Sequence, residues 1–134
     1  MKRLVVTAVV AAVIVALCAS FAGAFNMTQK VVVANELIAV ARVGAGDLTA
    51  QERIDRVNER LAYILGYEPL DPGSIYAVTR GDSRVIMVGK STLITVTPAD
   101  ARANNMSVSK LTSIWLRNAR EAIPQARPTP SIPG

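Results

Sequence analysis

The sequence predicts an α+β domain, and three patterns predict it. Short runs rich in Val and Ile are separated by turn residues. One long amphipathic helix opens on a capping box. A second apolar helical stripe lies near the C-terminus. The expected arrangement is an N-terminal β-hairpin, an amphipathic helix, a three-stranded β-meander and two C-terminal helices, all on one sheet of four or five strands. Helices with one apolar face need such a surface to bury against.

Val31-Val32-Val33 and Leu37-Ile38-Ala39-Val40-Ala41 are the first two strands, with Ala34-Asn35-Glu36 as the turn, because Asn tolerates turn conformations. Arg42 to Asp47 carries Gly44 and Gly46 and reads as a loop. Thr49-Ala50-Gln51-Glu52 is a capping box, in which the Thr hydroxyl accepts from the Glu52 amide and the Glu carboxylate reaches back to the Thr49 amide. The helix it opens runs to Leu65, with Ile54, Val57, Leu61, Ile64 and Leu65 on one face. Arg53, Arg56, Glu59 and Arg60 fall largely off that face, and Gly66 suits a left-handed stop.

Pro69, Pro72 and Gly73 make a rigid connection to the meander, whose strands are expected at 75–79, 84–88 and 91–96. Arg80-Gly81-Asp82-Ser83 forms its first turn and Gly89-Lys90 its second, where Gly supplies positive φ. Thr97-Pro98-Ala99-Asp100 opens a short helix ending near Asn104-Asn105: Thr caps it, Pro fits the first turn and Asp faces the positive helix end. Ser107 caps the last helix, whose apolar set is Leu111, Ile114, Trp115, Ala119, Ala122 and Ile123, and Pro124 stops it. Gln125 to Gly134 contains Pro128, Pro130 and Pro133 and reads as an extended tail.

The first 24 residues set the compartment. Met1-Lys2-Arg3 is positive, Leu4 to Ala22 carries no charge, and Ala22-Gly23-Ala24 offers the small-x-small step of a signal-peptidase site. The run from Leu4 to Phe25 is also long enough for a membrane anchor, which needs about 20 apolar residues. The domain reading is therefore 1–24 signal peptide or membrane anchor, 25–124 one α+β domain and 125–134 a Pro-rich tail. The location is extracytoplasmic: periplasmic, secreted or membrane-anchored. Cleavage after Ala24 leaves a chain long enough for one modest core and lowers the formal net charge from +5 to +3.

Composition removes whole classes of chemistry. The chain has no histidine, and its one cysteine, Cys18, lies in the apolar leader. The mature form then has no disulfide, thiolate nucleophile, Cys/His zinc site or Ser-His-Asp triad, and no catalytic, cofactor-binding or metal-binding residues are expected. Asp71, Asp82 and Asp100 sit at boundaries where Asp serves its own backbone. The Arg-Gly-Asp-Ser run reads as a turn before it reads as an adhesion motif. Gly44-x-Gly46 is too short for a phosphate loop. Asn26-Met27-Thr28 and Asn105-Met106-Ser107 match glycosylation acceptors, which matter only in a eukaryotic secretory route.

Basic residues recur on two helices: Arg53, Arg56 and Arg60 on one, Lys110, Arg117 and Arg120 on the other. They form a solvated face or a surface for anionic lipid heads or wall polymers, where each exposed cation contributes about 1 kcal/mol. Aromatic residues do not interleave with them, which argues against single-stranded nucleic acid.

The stretch from Leu37 to Ala122 resembles an extracytoplasmic domain that precedes the membrane region in cyanobacterial-type proteins related to small-conductance mechanosensitive channels, and small stand-alone exported proteins. The residues that carry the resemblance are Leu48-Thr49-Ala50-Gln51-Glu52-Arg53, Val85-Ile86-Met87-Val88-Gly89, Ile94 to Ala101, and the last helix with Leu111 and Trp115. The resemblance implies a folded envelope module and carries no catalytic residues. Nothing after Val108 resembles a channel pore, so channel activity is not implied. The expected function is an exported, non-catalytic envelope module that binds a protein partner or an envelope surface. The alternatives are a small secreted carboxylate-dependent hydrolase and a membrane-anchored accessory subunit. An exposed hairpin edge at 31–41 also offers a place for a second copy to pair.

Overall fold

Alternating apolar residues around two-residue turns build the β structure, and the helices close over it. The computed structural model describes residues 29–126, so the segment expected to be a signal peptide or membrane anchor and most of the expected Pro-rich tail lie outside the described residues. The element order is β1 (Lys30–Val33), β2 (Glu36–Val40), α1 (Ala50–Tyr67), a 3-10 turn (Pro72–Ser74), β3 (Ile75–Arg80), β4 (Ser83–Val88), β5 (Ser91–Val96), α2 (Pro98–Ala103), α3 (Val108–Ala122) and a last 3-10 turn (Ile123–Ala126).

The α+β class and the order of elements are as expected, but the single sheet is not. The strands divide into a two-stranded sheet, β1-β2, and a three-stranded antiparallel sheet, β3-β4-β5. The helices join them: α3 packs on β2, β3, β4 and β5, and α1 packs on β5 and β1. One core results, holding Ile38, Ile54, Ile64, Ile75, Ile86, Leu93, Leu111, Trp115 and Ile123.

Each sheet contains a bulge that a simple alternation does not show. In the first, Val31 pairs with Ala39 and Val32 with Leu37, leaving Ile38 as the extra residue. In the second, Ile86 pairs with Ile94 and Met87 with Thr92, leaving Leu93 extra. A bulge re-aims side chains by breaking the two-residue period. Consecutive residues Ile38-Ala39 and Leu93-Ile94 are accordingly all buried.

Three free carbonyls on outer strands are closed by side chains from the helices. Asn118 Nδ2 donates to the bulged Ile38 at 3.2 Å, Arg120 Nε to Ile75 at 2.8 Å and Arg53 Nη2 to Thr95 at 3.0 Å. This covers part of the unpaired backbone that makes edge strands adhesive.

The helix ends show which local signals act. Gly66 is not the stop expected of it: α1 continues through it to Tyr67, and Glu68 adopts the extended conformation, φ −100° and ψ 155°. Pro69 is the physical cause, because a residue before proline is driven out of the helical region. The two extra residues bring Tyr67 against Tyr63, with ring centroids 4.8 Å apart and planes tilted by 30°. At the end of α2, Asn105 takes φ +53°, with Met106 N–H donating to Ala101 and Asn105 N–H to Arg102. That bond pair is a Schellman stop with Asn at the left-handed position. At the C-terminus, Gln125 and Ala126 lie in the final 3-10 turn and not in the extended tail expected for them, because Pro124 fits a tight turn and Ile123 is fully buried.

Candidate functional site

Helix α1 presents arginines at positions 53, 56 and 60, and the fold gives them different surroundings. Arg53 was expected among the solvent-facing cations. It is instead 6% exposed and forms a fork-to-fork pair with Asp100, Nη1 to Oδ1 and Nη2 to Oδ2, both at 2.8 Å. Its Nη1 also donates to the Val43 carbonyl at 2.7 Å. Asp100 accepts in addition from the Thr97 amide and hydroxyl, each at 2.9 Å, while Thr97 Oγ1 caps the Asp100 amide. One buried pair therefore fastens the 42–48 loop, α1, the end of β5 and the start of α2. A buried charge is tolerated only when paired and hydrogen-bonded, as both are here.

Arg53 is thus withdrawn from the interaction surface. The signal for this was in the sequence: Arg53, Val57, Leu61 and Ile64 follow one another at four- and three-residue steps, so the arginine stands on the apolar stripe. Asp100 has the helix-start role expected of it, and a second role as the partner of Arg53.

Arg56 and Arg60 are exposed, and with Arg53 they line an open groove of about 340 Å³. Leu48, Val57 and Ile94 supply apolar lining, Thr95 and Thr97 border it, and Ala45 and Gly46 close the loop side. No acidic residue is among these lining residues. Neither Arg56 nor Arg60 forms a hydrogen bond or an ion pair among the described residues. Glu52, one turn before Arg56, is held by the Thr49 amide at 2.8 Å. Hydrogen bonds with the Thr49 backbone and side chain, aided by the charge of Arg56, keep its carboxyl below the usual glutamate range.

Lys110, Arg117 and Arg120 are exposed on α3 and do not line this groove. Arg120 is in part committed to the backbone of β3 through its bond to Ile75. Among the described residues, no group of three or more His, Cys, Asp or Glu is placed to hold a metal ion, and no helix is long and apolar enough to cross a membrane.

The class the fold defines is an α+β domain with a cationic groove beside a buried ion pair. The chain belongs to the family described as a domain of unknown function, DUF8459, which matches residues 30–126. No curated protein and no solved structure matches it. The family match covers every described element from β1 to the final 3-10 turn.

Proposed function

We propose that this chain is an exported, non-catalytic module that docks on an anionic component of the cell envelope. The observation that carries this reading is the pair Arg56 and Arg60, exposed one helical turn apart on a groove whose lining residues include no carboxylate, and neither in an ion pair among the described residues. Two like charges at this spacing repel by a few tenths of a kcal/mol, and an anion in the groove relieves that repulsion. The charge-free run from Leu4 to Ala22 supports export. The engagement of Asp100 with Arg53 and Thr97 argues against the hydrolase alternative, since that carboxylate has no free face for acid–base work.

Cell fractionation tests the proposal. The full chain expressed in its native cell is expected in the envelope fraction, to be released by about 0.5 M salt, where the screening length is only a few ångströms. The Arg56→Gln/Arg60→Gln variant is expected to release at lower salt. Recovery of a soluble intracellular product with Met1 intact overturns it.

A further inference from the structure

We infer that the Arg56–Arg60 groove is a binding site for a lipid phosphate: a phosphate monoester held by the two guanidiniums, with its hydrocarbon chain against Leu48 above the floor that Val57 and Ile94 form. The inference rests on the anionic-docking reading above and names the ligand chemistry.

The donor set selects the headgroup. A guanidinium presents a planar fork, and one fork is satisfied by the two oxygens of a carboxylate. Arg56 and Arg60 offer two forks on one wall, without a protein acceptor among the described residues. A phosphate monoester brings three acceptor oxygens and more negative charge at neutral pH, which suits two guanidiniums better than one carboxylate does.

The lining selects the rest of the ligand. The groove, at about 340 Å³, is larger than a bare phosphate requires, and three of its side chains are aliphatic. Val57 and Ile94 are nearly closed off at 2% exposure and form the floor, and Leu48 is the half-buried aliphatic side chain left to cover. A polar extension would cover it without satisfying its own hydrogen bonds, whereas a hydrocarbon chain is stabilised by burial there. An extended peptide is disfavoured by Arg53. Its Nη2 already occupies the Thr95 carbonyl on the outer edge of β5, so a peptide adding to that edge would compete with the buried ion pair.

The test is calorimetric titration of the protein, as isolated from its producing cells, with octyl phosphate below its micelle concentration. Inorganic phosphate and octanoate are the comparison probes. Octyl phosphate is expected to bind saturably and at least tenfold more tightly than either. Arg56→Gln/Arg60→Gln is expected to weaken it at least tenfold, while Arg80→Gln/Lys90→Gln, with the same charge loss elsewhere, leaves it unchanged. Leu48→Ala is expected to weaken octyl phosphate several-fold and to leave inorganic phosphate unaffected. Melting followed by Trp115 fluorescence confirms that each variant is folded.

Equal binding of octanoate, or binding indifferent to the arginine pair, overturns the inference. Retention on vesicles containing phosphatidic acid without any octyl phosphate binding also overturns it, and leaves envelope docking standing. Failure of both probes overturns the inference, and release from the envelope fraction that is indifferent to the arginine pair overturns the docking reading as well.

Discussion

The Arg53 guanidinium and the Asp100 carboxylate, 47 positions apart in the chain, face each other through two 2.8 Å bonds with side chains 6% and 0% exposed. Removing one partner leaves the other charged and buried, at a cost of about 3–5 kcal/mol. Asp100→Ala also removes the acid half of the α2 capping box, so it is expected to cost about 1 kcal/mol more than Arg53→Met. The double variant Arg53→Met/Asp100→Ala is expected to cost less than the sum of the singles by at least about 1 kcal/mol, because neither charge is then orphaned. Urea unfolding followed by Trp115, the single tryptophan and 4% exposed, measures all three. Strict additivity would show that the pair is not a coupled unit.

Local signals made most of this fold legible, and their limits mark what was not. Thr49 and Glu52, Thr97 and Asp100, and Ser107 act over three residues, and each helix start lies where those residues place it. Gly81 and Gly89 likewise placed both turns of the meander. The bulges at Ile38 and Leu93 were hidden because an alternation pattern assumes an unbroken register. The division into two sheets was hidden because strand propensity does not say which strands pair across a helix. Part of the site was readable: Arg56 and Arg60 stand exposed as their spacing implied, and Arg53 stands on the apolar stripe, whereas its partner Asp100, 47 positions away, is close only after folding.

The first hairpin turn is under backbone strain that a substitution should release. Ala34 and Asn35 both take positive φ, 50° and 65°. A two-residue turn with positive φ at both centres favours Asn or Gly, and alanine pays a steric penalty there. Ala34→Asn is expected to stabilise the protein by about 0.5–1 kcal/mol and to raise its melting temperature by a few degrees. Ala34 is exposed, so an unchanged or lower melting point would count against the strain.

The two glycine turns of the meander should respond unequally to alanine. Gly81 at φ +61° has open space where a Cβ would stand, so Gly81→Ala is expected to cost about 1–2 kcal/mol from backbone strain alone. Gly89 at φ +58° would also drive its Cβ into the Glu68 carboxylate. Glu68 has little freedom to yield, since it accepts from the Ser91 hydroxyl at 2.6 Å and the Lys90 amide at 3.3 Å. Gly89→Ala is therefore expected to be the more damaging, by about 1 kcal/mol, because it also disturbs those two hydrogen bonds. Equal losses in thermal melts would show that the Glu68 clamp adds nothing.

The capping box of α1 should give the stability curve an acid limb that two substitutions can divide. The folded-state carboxyl of Glu52 titrates below its ordinary range, first through the Thr49 backbone N–H and then through the Thr49 side chain. Folding therefore favours the ionised form. The contribution is fully present above the unfolded-state value and is lost as pH falls through the folded-state value. Glu52→Gln is expected to be less stable than the native chain at neutral pH, with the difference shrinking toward zero in strong acid. Thr49→Ala removes the hydroxyl, at a cost of about 1 kcal/mol, but alanine keeps the backbone N–H that is the larger cause of the shift. Its stability is thus expected to stay lower across the whole range while most of the acid limb survives. Urea midpoints for the three proteins, measured from neutral pH down through the carboxylate range, separate the two effects. A Thr49→Ala curve parallel to that of Glu52→Gln would place the cause of the shift in the hydroxyl instead of the amide.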